Sequence, residues 1–568
     1  MAALRVAALL ALVACVGTEG PPPKGSGGTL VISTVGDPDI LIPPLTSTVQ
    51  GTQITDLVFD RLAEIGDSLN IVGDVGFTPR LSNQWTWRRD SLSIAFHIDE
   101  RARWHDGQPV QAKDVRFTFL SYKDTALGSP FAALITNIDS VTTPDSSTAV
   151  FWFRSRTPQQ FYDAVYPMPI MPEHIWRDIP RSSWRASERA KAPVGSGRFR
   201  FVRWTPRQSV ELEADPLNYQ GAPKLTRAIW SLAPDFNTAV TRFLSGETDF
   251  FEGLRSEHVP EVARVSHLRI AKTRGSDYTF AQFNFRDPSN RTRPHSIFGD
   301  RELRRALTMA LDRNAIVRNV FDTFALPALG PTVRAYQTTD PNLPQIPFNL
   351  ERARLILDSL EWRDADGDGV REKNGRPLQF RLAVPGSSRA RTGMAVLLQE
   401  QWRQAGVKVD VEQMDFPAFV NLTRTRAFDV VIGGWHTHPS PGGVRQTWSS
   451  MGSRSPTGSN YGAYENPVFD AYVDSALASH DLPTRRALFT RAYEIIIQDA
   501  PAIWLAELIP TMGYHSRLQL APLRPDAWWA HIPEWWIPED RRLPRDNAPL
   551  STPSSTPSSA DSAGRKAP

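Results

Sequence analysis

The sequence predicts an α/β protein assembled from two or three compact units, and two observations lead there. The chain has 568 residues, more than one hydrophobic core organises. Between residues 394 and 435 a helical pattern, a glycine, an alternating strand, a further helix and a further strand follow in turn. That is the rhythm of an α/β layer with parallel strands. Only one cysteine occurs, so no disulfide within the chain helps to hold it.

From the amino end, MAALRVAALLALVAC carries Arg5, nine apolar residues from Val6 to Ala14, and Cys15. That run is too short to cross a bilayer, so residues 1–15 read as a signal peptide. The segment LVAC, Leu12 to Cys15, resembles the bacterial lipobox, whose cysteine becomes the lipidated first residue of the mature protein. An ordinary signal peptide with a chance cysteine is the other reading. Residues 16–28 form a Pro/Gly/Ser tether with nothing to bury, and order begins at the strand TLVISTVG, 29–36.

Residues 56–190 predict short strands and turns, among them SIAFHI at 93–98. RWHDGQPVQAKDVRFTF follows at 103–119: His105-Asp106-Gly107 makes a turn, Pro109 stiffens its exit, and Asp114 caps the next helix. Residues 298–321 predict two helices, with Asp300 and Asp312 as N-caps. The helix at 394–406 stops at Gly406 and runs into VKVDVE, 407–412, and FDVVIGGW, 428–435, is the next strand. The tail, 544–568, is of low complexity and reads as disordered.

Composition narrows function. The net charge of +3 comes from 64 basic and 61 acidic residues with no basic stripe, so a nucleic-acid partner is not expected. Seventeen Trp suit either an apolar ligand cavity or ordinary core packing. An exported hydrolase lacks its usual equipment here: there is no Gly-x-Ser-x-Gly elbow, His-Glu-x-x-His or Gly-x4-Gly-Lys loop, although a carboxylate pair stays open. In DADGDGVREKNG, Asp364, Asp366, Asp368 and Gly369 copy the start of a calcium loop, but position 12 is Gly375 where a bidentate Glu is needed. A polar hairpin turn is the expectation, with calcium binding the alternative.

Several ordered blocks carry a resemblance. RWHDGQPVQAKDVRFTF looks like the signature of the extracellular solute-binding proteins of family 5, the peptide/nickel class that serves ABC transporters. LVFDRLAEI at 57–65, PVGSGRFRFVRW at 193–204, FNTAVTRFLSGETDFFEGL at 236–254 and NYGAYENPVFDAYVDSA at 460–476 are similar to further blocks of that family, in order. The resemblance implies a two-lobed α/β periplasmic-binding-protein fold of type II with an extra domain and a ligand cleft between lobes. Lobe I would comprise 29–58, 192–283 and 508–543, the extra domain 59–191, and lobe II 284–507, with the chain crossing near 281–285 and 501–510. It also implies capture of a peptide-like solute by lobe closure and delivery to an ABC permease and ATPase. The protein would be a monomer, with no cofactor and no catalysis, held to a membrane through Cys15. A metal chelate or saccharide as ligand, or a hydrolase or sensor on the same fold, is the alternative.

In peptide-binding relatives the strand matching DVVIGGW leads through a Trp into an acidic loop that pairs with the ligand's amino terminus. Here GGWHTHPSPGG keeps Trp435 but puts His438 and Ser440 near the acidic positions. A buried ammonium without an anionic partner is costly, so recognition of the amine by that route is in doubt. His436 and His438 are candidate ligand contacts, either in a solvated loop, in a cleft for anionic or neutral ligands, or at a metal chelate. An extended segment is expected to turn the two rings apart, making them poor partners for one ion. Asn460 and Tyr461 are candidate cleft hydrogen-bonders, and Glu507, in the second crossing, is a candidate anchor for a ligand amine.

Overall fold

A computed structural model of the chain describes residues 27–455 and 458–547. Cys15 and the signal peptide lie outside the described residues, as does the tail beyond residue 547.

Two large sheets organise the molecule. The first has seven strands, in the order Leu268–Lys272, Thr511–His515, Phe250–Phe251, Thr29–Val35, Arg227–Ala233, Ser209–Ala214 and Phe199–Thr205. The second has six: Ala325–Pro327, Ala502–Leu508, Asp277–Phe283, Val430–His436, Gln379–Pro385 and Lys408–Met414. The rhythm at 394–435 gives parallel strands as expected, because Gln379–Pro385 runs parallel to both Lys408–Met414 and Val430–His436. The other half of that sheet is antiparallel.

The capping signals act as read. Asp300 accepts from the backbone N–H groups of Glu302 and Leu303, and Asp312 from that of Ala315. The helix Arg389–Gln404 buries Met394, Leu398 and Trp402, spaced four residues apart, and Gly406 ends it with a φ of +80°.

A third unit carries a four-stranded antiparallel sheet, Ser82–Trp87, Ser93–Ile98, Thr148–Phe153 and Ile138–Thr142. The segment RWHDGQPV fastens it to the first sheet. Gly107, at φ +87°, closes a turn on Trp104. The backbone N–H of Gly195 donates to His105 Nδ1 (3.2 Å), and Nε2 donates to the Gly197 carbonyl (2.9 Å). Those two glycines press on the helix Val49–Val58, where a Cβ on Gly195 would sit 1.8 Å from the Val58 carbonyl oxygen. Asp114 is buried and accepts from the N–H groups of Gln111 and Glu173 and from the Trp104 indole. The segment is therefore a structural joint.

The chain passes between the large sheets twice. Residues 273–276 join Leu268–Lys272 to Asp277–Phe283, and residues 509–510 join Ala502–Leu508 to Thr511–His515. The first crossing falls before the expected 281–285, because Asp277–Phe283 pairs on both edges within the six-stranded sheet and sends Ala281 and Phe283 into that sheet's core. The crossings touch: Thr273 N–H donates to the Pro510 carbonyl (3.1 Å), and a Cβ on Gly275 would lie 2.1 Å from the Leu508 carbonyl oxygen.

The expected tail also starts later than residue 544. Asp546 is buried, 2.5 Å from Arg517, and accepts from the Thr29 N–H (2.7 Å). Arg517 in turn pairs with Asp249 at 2.7 Å, and Asp249 is fully buried. A buried guanidinium needs such carboxylates, so the strand Thr29–Val35, the segment around Asp546 and the centre of the seven-stranded sheet are stitched by one ionic cluster. Gly27, assigned to the tether by sequence, bridges to Ile537.

Replacing Gly275 by Ala forces the two crossings apart. Thermal melting of that variant is expected to show a loss of about 1–3 kcal/mol, the usual cost of overpacking. Unchanged melting contradicts the contact.

Candidate functional site

Between the sheets and the third unit lies a cavity of about 1020 Å³. Small-molecule sites run to roughly 1,000 Å³, so this one is large enough for an extended solute. Its walls come from all three units: the helix Val49–Val58 and the Arg524–Trp529 segment, Tyr162 to Tyr166 of the third unit, and the Trp435–Val444 loop. Thr273 and Pro510, one in each crossing, line it as well, so the crossings form its back wall.

The six-stranded sheet delivers Trp435 and His436 at the end of Val430–His436, where the strand breaks into the loop. Trp435 lies over Phe280 (centroids 6.5 Å apart) and Tyr461 (6.1 Å), which fix its plane against the cavity. The loop itself is tied down, with Thr437 donating from its N–H and hydroxyl to the Ser276 carbonyl and accepting at its own carbonyl from the Tyr336 hydroxyl (2.8 Å). Ser440 hydrogen-bonds Gln159 of the third unit (2.7 Å), closing the loop across the cavity edge.

His436 and His438 both line the cavity, with ring centroids 5.4 Å apart. The expectation that they diverge is wrong, because residues i and i+2 of an extended segment share a face. His436 Nδ1 is 3.1 Å from Asp277, and that bond raises its pKa. Burial, and then the neighbouring His436, lower that of His438.

Three other candidates are used elsewhere. Asn460 is fully buried, donates to the carbonyls of Ser449 and Tyr464, and so holds a turn away from the cavity lining. Tyr461 backs Trp435 and does not line the cavity. Glu507 is buried and already paired: Arg334 reaches it through Nη1 (2.6 Å) and through its backbone N–H (2.7 Å). A carboxylate so engaged is a clamp on the Arg334 loop, not a free anchor. Asp364, Asp366, Asp368 and Glu372 bring carboxylate oxygens within 4.8 Å of one another on an exposed turn that leads into the small hairpin 372–377.

Residues that sequence reading did not single out make up most of the polar lining. Arg61 pairs with Asp56 (2.8 Å), Arg524 with Asp526 (2.7 Å), and the Tyr166 hydroxyl donates to Asp526 (3.0 Å). Asp163, on the short helix Gln160–Val165, lines the cavity with a carboxyl that has no hydrogen bond or ion pair among the described residues, and burial pushes that carboxyl up to about 7. Behind Gln159, Arg485 is fully buried, and its Nη2 donates to the Gln159 side chain (3.2 Å). None of these has a signature in sequence, since an acid between aromatic residues in QFYDAVY reads like any other.

Comparison with known proteins follows the same lines. The family model described as bacterial extracellular solute-binding proteins, family 5 Middle, matches residues 76–455. The oligopeptide-binding protein AppA of Bacillus subtilis is 25% identical over 532 residues, 92% of this chain and 93% of that protein. The structure of the oligopeptide-binding protein AppA from Bacillus subtilis in complex with a nonapeptide superposes with a TM-score of 0.71 at 24% identity, covering 90% of this chain and 99% of that one. That of NikZ from Campylobacter jejuni in complex with Ni(L-His) gives 0.72 at 21%, covering 89% and 99%. These last two similarities establish the two-lobed fold.

The unpaired Asp163 has a pH signature. Its carboxyl titrates near 4 when unfolded but at about 7 in the cavity, so its contribution to stability is full below pH 4 and lost as pH rises through 7. Asp163→Asn is therefore expected to melt about 2–4 °C higher than the parent at pH 8 and level with it at pH 4. A lower melting point at pH 8 contradicts the unpaired state.

Proposed function

The chain belongs to the bacterial extracellular solute-binding proteins of family 5, and from that premise we propose that it is the substrate-binding component of an ABC import system for a peptide-like solute. One observation carries the reading: a cavity of about 1020 Å³, rich in aromatic walls, lies against two touching backbone crossings that are the sheets' covalent links. A solute contacting both sheets favours the state in which they are close, and closure presents a new composite surface to a permease. Trp435, Tyr162 and Tyr166 supply flat apolar contact, and the loop backbone at 437–443 supplies hydrogen-bonding groups suited to an amide chain. No bond of the solute is made or broken; it is taken up and released intact.

The protein acts outside the cytoplasm, and lipidation at Cys15 holds it to a membrane surface while the body stays free. No helix among the described residues is long and apolar enough to cross a membrane. A protein anchored by acyl chains needs no such helix.

The shared face of His436 and His438 favours a second reading, capture of a metal chelate, since two imidazoles at this separation suit one ion or its complex.

Both readings are tested by purifying the protein without denaturation and identifying bound small molecules by mass spectrometry, then titrating peptides and nickel–histidine in calorimetry. Co-purified peptides that rebind and are recovered unchanged support the first reading. Heat only with nickel–histidine supports the second, and cleavage of any bound peptide overturns both.

A further inference from the structure

Five lining side chains of the cavity carry a formal charge: Asp56, Arg61, Asp163, Arg524 and Asp526. Four of them are paired in place, together with Glu64, which lies 2.7 Å from Arg524. Arg61 lies 2.8 Å from Asp56, and Arg524 lies 2.7 Å from Asp526. Each pair is held by further bonds, with the Trp529 indole donating to Asp56 (3.0 Å) and the Tyr166 hydroxyl to Asp526 (3.0 Å). These are finished arrangements, and a ligand gains little by breaking them.

Asp163 is the exception. It faces the cavity from the helix Gln160–Val165, between Tyr162 and Tyr166, whose rings stack 4.7 Å apart. No cation or N–H among the described residues reaches its carboxylate, and burial is the only influence on its titration. A half-buried carboxylate without a donor is an expense that a fold removes unless something else supplies the partner. The cavity thus has one carboxyl with no side-chain partner among the described residues, at a known place, on a wall contributed by the third unit.

We infer that Asp163 is a specificity-determining ligand contact that takes a cationic nitrogen of the solute, an amino terminus or a basic side chain. The inference rests on the proposed peptide reading and adds to it the position at which charge is read. Tyr162 and Tyr166, next to it in the lining, are stacked on each other, with the Arg61 guanidinium over the Tyr166 ring. Because the carboxylate sits on the third unit, a ligand held there and against Trp435 bridges that unit to the six-stranded sheet. A charge-assisted hydrogen bond in such surroundings is worth about ten-fold or more in affinity.

The test uses three nonapeptide libraries against the full-length protein and its Asp163→Asn variant. The first has free amino termini and no Lys or Arg, the second is N-acetylated and otherwise identical, and the third is N-acetylated with one Lys. The parent is expected to bind the first or the third about ten-fold tighter than the second, and which of the two it prefers identifies the source of the cation. The variant is expected to lose that preference while binding the acetylated library as the parent does. Its melting point at pH 8, equal to or above the parent's, shows that the fold is intact. A variant that keeps the parent's preference, or a parent that binds all three libraries alike, overturns the role of Asp163 and leaves peptide capture standing. A parent that binds none of them overturns the peptide reading and this inference with it.

Discussion

Everything in this molecule hangs on two short backbone crossings that lie against each other. Residues 273–276 and 509–510 are the covalent links between a seven-stranded and a six-stranded sheet, and Gly275 lets them touch because any side chain there would strike the Leu508 carbonyl. Strands continue on both sides of each link, so the sheets are stiff and the links are the places where backbone angles change. Such an arrangement permits rotation about one axis and resists the others. The cavity opens beside that axis, with Thr273 and Pro510 in its wall, so what fills the cavity acts directly on the angle between the sheets.

The polar lining shows how charge is used once the hinge is in place. Arg61 pairs with Asp56, and Arg524 with both Asp526 and Glu64, and these bonds tie the helix Val49–Val58 and the Arg524–Trp529 segment to the third unit. Glu507, at the end of the strand before the second crossing, spends its charge on Arg334 and so secures the Arg334 loop beside the hinge. Against that background one unpartnered carboxyl is informative, because low-dielectric surroundings penalise its charged form and no partner among the described residues relieves the penalty.

Local signals were readable without the structure. Asp300, Asp312 and Gly406 punctuate helices through contacts made within four residues, and the parallel strands after 406 follow from the order of helix, glycine, strand, helix and strand. The turn around His105 was legible as structure, but its partners Gly195 and Gly197, some ninety residues on, were not. Long-range pairing defeated other readings. Asp546 belongs to a low-complexity stretch by composition, yet Arg517 and Thr29 hold it in the interior. Glu507 looked like a free acid because Arg334 lies 173 residues away. Asp163 went unnoticed for the converse reason, since the lack of a partner is a property of the folded surroundings and leaves no mark in sequence. Family membership was readable because it spreads over many ordered blocks, none of which needs a distant contact to be identified.

The most direct test measures the angle between the sheets. With Cys15, the single cysteine, replaced by Ser, spin labels on Leu217→Cys and Leu355→Cys report the separation of the two lobes from well-exposed positions. Adding a peptide mixture is expected to shift the distance distribution to shorter values, and washing the peptides away to restore it with their sequences unchanged. A distribution that stays fixed while peptide is demonstrably bound contradicts the hinge account.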